Sequence, residues 1–302
     1  MSLIERAAQR LEELRRTGAA LKPRAHIASA SPELSTHAPA EVAPEHLKAS
    51  PEQPAKTTQR HFDLDFTELA RRAFVTPDLQ RSRVAEEFRI IKRPLIQNAV
   101  NRPGRPLKNG NLIMVTSAVP GEGKTFTSVN LAMSIVSELN KTVLLVDADV
   151  ARPSLPNVLG IPTGPGLMDL LDNPATEMAD VLIRTNVENL SLLSSGNPHA
   201  RATELLASDA MSRLLDDMAQ RYPDRIVIFD SPPLLVTTES RELARHAGQV
   251  VVVVHAESTL QADVQRALST IEQCPVKLLV LNQARTLAQG AYGYGYGYGY
   301  GR

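Results

Sequence analysis

Ala118-Val119-Pro120-Gly121-Glu122-Gly123-Lys124-Thr125 combines two glycines, a lysine and a hydroxyl at the spacing that cradles a polyphosphate. Gly121 and Gly123 let backbone N–H groups turn inward onto phosphate oxygens, and a helix opening at Thr125 adds the positive end of its dipole. Lys124 would reach the β- and γ-phosphates of ATP, and the Thr125 hydroxyl would take one position around Mg²⁺. Pro120, Glu122 and Phe126 complete the expected nucleotide-contacting run. Ala118 stands where the first glycine of this pattern usually stands. The bland alternative is a turn that ends in Gly-Lys-Thr by accident. Against it, an apolar run, Leu112 to Val115, precedes the loop and a helical pattern from Phe126 to Leu139 follows.

Three carboxylates complete the chemistry. Asp147 and Asp149 follow the apolar run Val143 to Val146, and Asp230 follows Ile226 to Phe229. A hard divalent cation takes oxygen ligands, so Asp230, with Asp147 or Asp149, would hold Mg²⁺ directly or through water. The competing reading of Asp147 and Asp149 is as turn residues satisfying backbone N–H groups. Asn282 closes the last apolar run, where its amide would read an adenine edge or form a turn.

These residues need a scaffold that delivers them to one rim. Strands are predicted at 111–116, 142–147, 190–194, 225–230, 249–254 and 276–281, and helices at 125–139, 203–221, 238–246 and 259–273. Several strands are apolar throughout, as Val250 to Val254 are, which suits a parallel sheet covered on both faces. The expected fold is a doubly wound, mostly parallel α/β domain of the P-loop NTPase class, with ligands outside the carboxyl ends of the strands. A helix at 83–99 precedes it, with Val84, Phe88, Ile91 and Leu95 on one face and Glu86, Glu87, Arg89, Lys92 and Arg93 spaced for in-helix pairs. Pro94 is expected to kink or break it. A solvated charged face is its bland reading.

The chain has 302 residues, with 33 Lys plus Arg against 33 Asp plus Glu, so charge gives no argument for a nucleic-acid partner. The one cysteine, Cys274, excludes an internal disulfide. No apolar stretch nears the roughly 18–20 residues of a membrane span, and a soluble cytoplasmic protein is the expectation. Residues 1–18 read as an amphipathic helix and 19–60 as a disordered linker punctuated by six prolines. The globular domain is expected over 61–286. Residues 287–302 read as a flexible tail displaying Tyr292, Tyr294, Tyr296, Tyr298 and Tyr300, either an adhesive strap or phosphoacceptors. Reach excludes neither the tail's own site nor a neighbour's.

Together, the loop, the Val-Asp-Ala-Asp-Val-Ala-Arg-Pro segment, the Phe-Asp-Ser-Pro-Pro strand end and the tyrosine tail resemble the bacterial tyrosine autokinases of exopolysaccharide systems. The stretch from Glu86 to Leu95 resembles the subgroup encoded with exosortase-type clusters. The resemblance implies ATP- and Mg²⁺-dependent phosphorylation of the tyrosine tail of a neighbouring protomer, with Asp149 orienting or accepting the phenolic proton. It implies rings built through Glu86, Arg89 and Lys92, where lysine replaces a second arginine. It also implies a separate membrane chain-length regulator that recruits the protein peripherally to the inner membrane, and a tyrosine phosphatase. The rival is a partitioning-type P-loop ATPase acting as a nucleotide-driven dimer switch. That class normally carries lysine where Val119 stands and has no tyrosine tail. A third reading, nucleotide binding without turnover, fits poorly with Lys124, Thr125, Asp147, Asp149 and Asp230 together.

Overall fold

The computed structural model describes residues 60–79, 81–100, 107–221 and 224–284. The expected 1–18 helix, the linker up to residue 59 and the 287–302 tail with its five tyrosines lie outside them. Eight strands form one sheet: β1 (Arg60–Phe62), β2 (Leu112–Ser117), β3 (Thr142–Asp147), β4 (Ile183–Thr185), β5 (Leu190–Leu193), β6 (Arg225–Asp230), β7 (Gln249–His255) and β8 (Val276–Asn282). Their order is β1-β4-β5-β3-β6-β2-β7-β8, and every pairing is parallel except β4 with β5. The strand carrying the phosphate loop, β2, therefore lies between β6 and β7, and Asp147 and Asp230 stand opposite each other on neighbouring strands.

Both faces are covered, as the apolar strands require. On β2, Ile113 and Val115 face one core and Leu112 and Met114 the other. The first face is covered by α1 (Phe66–Arg71), α2 (Arg83–Ala99), α3 (Lys124–Val136) and α4 (Leu155–Leu159). The second is covered by α5 (Leu167–Asp172), α6 (Met178–Val181), α7 (Ala202–Leu206), α8 (Asp209–Arg221), α9 (Glu239–His246) and α10 (Gln261–Ser269). The doubly wound α/β architecture is the one the apolar periodicity requires. No helix among the described residues is long and apolar enough to cross a membrane.

The segment before the phosphate loop is built onto α3. Phe74 and Phe88 flank the Phe126 ring at centroid separations of 5.1 and 6.3 Å. Asn130 on α3 accepts the Val75 N–H at 2.6 Å. Helix α2 starts at Ser82, whose hydroxyl accepts the Ala85 N–H at 3.2 Å, and buries Phe88 and Leu95. It continues through Pro94, so of the expected kink or break the break does not occur. Pro94 is exposed, so its ring and the carbonyl it leaves unpaired face solvent, while Leu95 beside it is fully buried and holds the helix down.

Three further expectations are corrected. The single helix expected over 203–221 is two, α7 and α8. Ser208 separates them by accepting the Met211 N–H at 3.3 Å as a helix cap. Helix α3 ends at Val136, short of 139. Residues 148–189, to which the sequence reading assigns no strand or helix, hold three short helices and the short strand β4, which lies between β1 and β5.

Candidate active site

The loop leaves β2 at Ser117 and turns into α3 at Gly123. Gly121 and Gly123 both adopt positive φ, +85° and +93°, which side-chain-bearing residues resist. A Cβ on Gly121 would meet nothing within 4 Å, so the positive φ and not crowding calls for glycine there. A Cβ on Gly123 would lie 2.0 Å from the Asn282 amide nitrogen, so this glycine also allows a close approach. That amide donates to the Glu122 carbonyl at 2.9 Å. Asn282 therefore latches the phosphate loop.

Glu122 is 1% exposed and its carboxylate is spent on the protein. It accepts the Val119 N–H at 2.7 Å, the His255 N–H at 3.3 Å and the Thr259 hydroxyl. The side chain is thus a brace that ties the loop to the end of β7, which leaves the Glu122 backbone N–H to meet a nucleotide. The Phe126 ring also turns away from the loop into the aromatic cluster, which leaves its backbone as its only route to a nucleotide.

The carboxylates divide by their surroundings. Asp147 is buried, and both oxygens accept backbone N–H groups: Asp149 at 3.2 Å, and Ser154 and Leu155 at 3.0 Å each. Burial pushes its carboxyl up to about 7, with the Asp230 charge adding to the rise and the three N–H groups opposing it. The competing turn reading describes Asp147. Asp149 accepts the Arg152 N–H at 3.1 Å and faces the Lys124 ammonium at 4.0 Å. Burial raises its carboxyl as well, with Lys124 pulling it back.

Asp230 is 1% exposed and stands at the base of the loop. It accepts the Ser128 hydroxyl at 3.0 Å, and the Ser154 hydroxyl lies 3.4 Å away. Burial raises its carboxyl to about 6, while the Thr125 hydroxyl, the Lys124 charge and Ser128 work downward. Thr125 Oγ1 is 2.8 Å from Ser154 Oγ. The structure therefore gathers Lys124, Thr125, Asp149 and Asp230 at one rim. Two serines that sequence reading passed over stand with them. Ser128 was legible as the residue one helical turn past Lys124, and Ser154 as the polar residue after Arg152-Pro153.

The donor set fits a nucleotide with Mg²⁺. Lys124 stands at the end of the glycine loop, and hydroxyl and carboxylate oxygens, the ligands a hard cation takes, converge beside it. Among the described residues no three acidic, His or Cys side chains gather to hold a metal, so the hydroxyls are essential to that set.

The expected ring residues divide too. Glu86 and Arg89 pair with each other on the exposed side of α2. Lys92 turns inward and is 3% exposed, donating to the Ser134 carbonyl at 2.6 Å and pairing with Glu138 at 2.7 Å. Its charge is used within the chain, and it does not stand at a surface where a neighbouring subunit would meet it.

The AAA domain family model matches residues 110–283. The tyrosine-protein kinase YwqD of Bacillus subtilis (strain 168) is 30% identical over 69% of this chain and 85% of its own length. The tyrosine-protein kinase ptk of Acinetobacter johnsonii is 35% identical over 60% of this chain, and the match spans 24% of ptk. The chain thus covers most of one relative and about a quarter of the other. Among solved structures, the VpsO kinase domain superposes with a TM-score of 0.53 at 28% identity, over 65% of this chain and 98% of that one.

Proposed function

The chain belongs to the AAA domain family and to the tyrosine-protein kinases that include YwqD, and on that premise we propose that it transfers the γ-phosphoryl group of ATP to tyrosines of its own C-terminal tail. The observation that carries this reading is the convergence of Lys124, Thr125, Asp149 and Asp230 at the glycine loop, in a chain that carries five regularly spaced tyrosines at 292–300.

The chemistry asks for charge neutralisation and in-line placement more than for a strong base. The N–H groups of residues 121–125 bind the phosphates, and Lys124 leaves Asp149 to meet the γ-phosphate. Mg²⁺ would be held by Thr125 and Asp230 and would supply the remaining positive charge. The incoming tyrosine oxygen forms its bond to the γ-phosphorus as the bond to the bridging oxygen breaks, releasing ADP. The phenolic proton, from a group that ordinarily titrates near 10, passes to Asp149. Burial raises the Asp149 carboxyl, which makes it a better acceptor than an exposed aspartate, and departure of Lys124 raises it further.

The wider reading follows the sequence resemblance. The tails are phosphorylated between protomers of a ring in which Glu86 and Arg89 meet the neighbour. A separate membrane regulator activates the kinase and draws it to the inner membrane, a phosphatase resets it, and the output is exopolysaccharide synthesis of the exosortase-associated type. Phosphorylation adds about 1.5–2 negative charges per tyrosine, which would drive the tails apart and weaken the ring.

Mixing tests the transfer between protomers. A Lys124→Met chain with an intact tail is incubated with Mg-ATP and a chain whose tail tyrosines are phenylalanine. Phosphate on the Lys124→Met tail, at a rate that rises with protein concentration, is the expected result. A tail labelled only when Lys124 is present in the same chain would contradict it.

A further inference from the structure

We infer that Ser154 supplies a third protein oxygen to the Mg²⁺ that accompanies the nucleotide, beside Thr125 and Asp230, and that Asp147 acts by positioning it. The inference rests on the reading of the 118–125 loop as a Mg-ATP site and names the ligand set within it.

The first observation is a spacing. Mg²⁺ holds oxygens at about 2.1 Å in a near-ideal octahedron, so adjacent ligands sit about 3 Å apart. Ser154 Oγ is 2.8 Å from Thr125 Oγ1 and 3.4 Å from Asp230 Oδ2, separations that bracket that edge. The Thr125 hydroxyl is also near enough to Asp230 to hold its carboxyl down. The three oxygens thus stand mutually close, as three ligands on one face of an octahedron do.

The second observation is what the serine forgoes. Ser154 occupies the N-cap of α4, where a serine oxygen ordinarily folds back onto helix N–H groups. Its side chain makes no such bond. The hydroxyl is aimed at Thr125 and Asp230, while its backbone N–H and that of Leu155 are both held by Asp147 Oδ2 at 3.0 Å. Asp147 Oδ2 is thus taken by two N–H groups, and through them Asp147 fixes the turn that delivers Ser154.

The third is the disposition of Asp149, the ligand expected from sequence. One of its oxygens accepts the Arg152 N–H, and the other, which faces Lys124 before nucleotide binds, is the one the proposed reaction keeps for the phenolic proton. With Asp149 outside the set, one carboxylate and two hydroxyls leave the remaining positions to phosphate oxygens and water, the way Mg²⁺ is usually held in nucleotide sites. A purely structural Ser154, bracing the loop through Thr125, would show the same hydrogen bonds, so the test must read the metal itself.

A fluorescent ADP analogue is titrated onto the full chain without divalent cation, with Mg²⁺ and with Cd²⁺, for wild type, Ser154→Ala and Ser154→Cys. The expected result is equal metal-free affinity in all three. Ser154→Ala should need about tenfold more Mg²⁺ to tighten binding. Ser154→Cys should be equally impaired in Mg²⁺ and recover in Cd²⁺, because a thiolate selects the softer ion. A Ser154→Ala chain with the wild-type Mg²⁺ requirement, or a Ser154→Cys chain without Cd²⁺ recovery, would overturn the assignment. A wild type that binds nucleotide without any response to Mg²⁺ would overturn the Mg-ATP reading beneath it.

Discussion

Lys124→Met is expected to abolish tail phosphorylation, with a loss of about 10³-fold or more, while the chain stays folded. The Lys124 ammonium stands 4.0 Å from Asp149, and the residue opens the helix at the end of the loop. Removing one preorganised charge from a site that works by electrostatic stabilisation costs about two to three orders of magnitude in rate. Here the loss also leaves Asp149 without the cation that opposes its burial, so the carboxyl rises further and repels the phosphates whenever it is ionised. The side chain lies at the rim and not in either core, so the thermal midpoint should change little. Quantifying phosphotyrosine by mass spectrometry, together with the unfolding midpoint, checks both halves. Retained phosphorylation in a folded variant would remove the loop from the mechanism.

Asp230→Asn should make the nucleotide-free protein more stable at pH 7 and abolish its stabilisation by Mg-ATP. Asp230 and Asp147 are neighbours on β6 and β3, both buried, with carboxyls raised to about 6 and about 7. A carboxyl raised in the folded state binds its proton more tightly there than in the unfolded chain. Its contribution to stability is therefore full below the unfolded value near 4 and is lost as pH rises through 6 to 7. Wild-type stability should fall between pH 5 and pH 7. At about 1.4 kcal/mol per pKa unit, the cost at Asp230 is on the order of 1–3 kcal/mol. Asparagine removes that charge, relieves Asp147, and keeps an oxygen for the Ser128 hydroxyl. Thermal unfolding from pH 5 to pH 7.5, with and without Mg-ATP, reads the result: a midpoint higher by a few degrees at pH 7, a shallower pH slope and no shift with nucleotide. A variant less stable than wild type at pH 7, with the slope unchanged, would mean that this charge is compensated in the resting protein. Trading stability for a charged, metal-ready site is a common arrangement in active centres.

The parts legible in the sequence were those fixed by local pattern. The unbroken apolar runs of β3 and β7 named central strands, and the glycine-lysine-threonine loop named the rim where ligands belong. β4 was not legible because Ile183-Arg184-Thr185 is too short to show a period, and its pairing is supplied by β1 and β5. The short helices after β3 were hidden by prolines at 153, 156, 162, 165 and 174, which read as loop punctuation. At the site, residue types were legible but aim was not. Nothing local tells whether an aspartate two residues before another will face a cation or its own backbone, and Asp147 does the latter. Lys92 reads as one more charge on a solvated face, and its burial depends on Glu138 and the end of α3, more than 40 residues away. The hold of Asn282 on the loop shows only once the loop is folded against it.

The central claim is that this chain phosphorylates its own tyrosine tail. The most direct measurement is peptide mass spectrometry of the full chain, treated with phosphatase, freed of it, and then incubated with Mg-ATP. The expected result is phosphate on Tyr292, Tyr294, Tyr296, Tyr298 or Tyr300, absent without Mg²⁺. ATP hydrolysed beside a tail that carries no phosphate would contradict it and would point to the nucleotide-driven dimer switch.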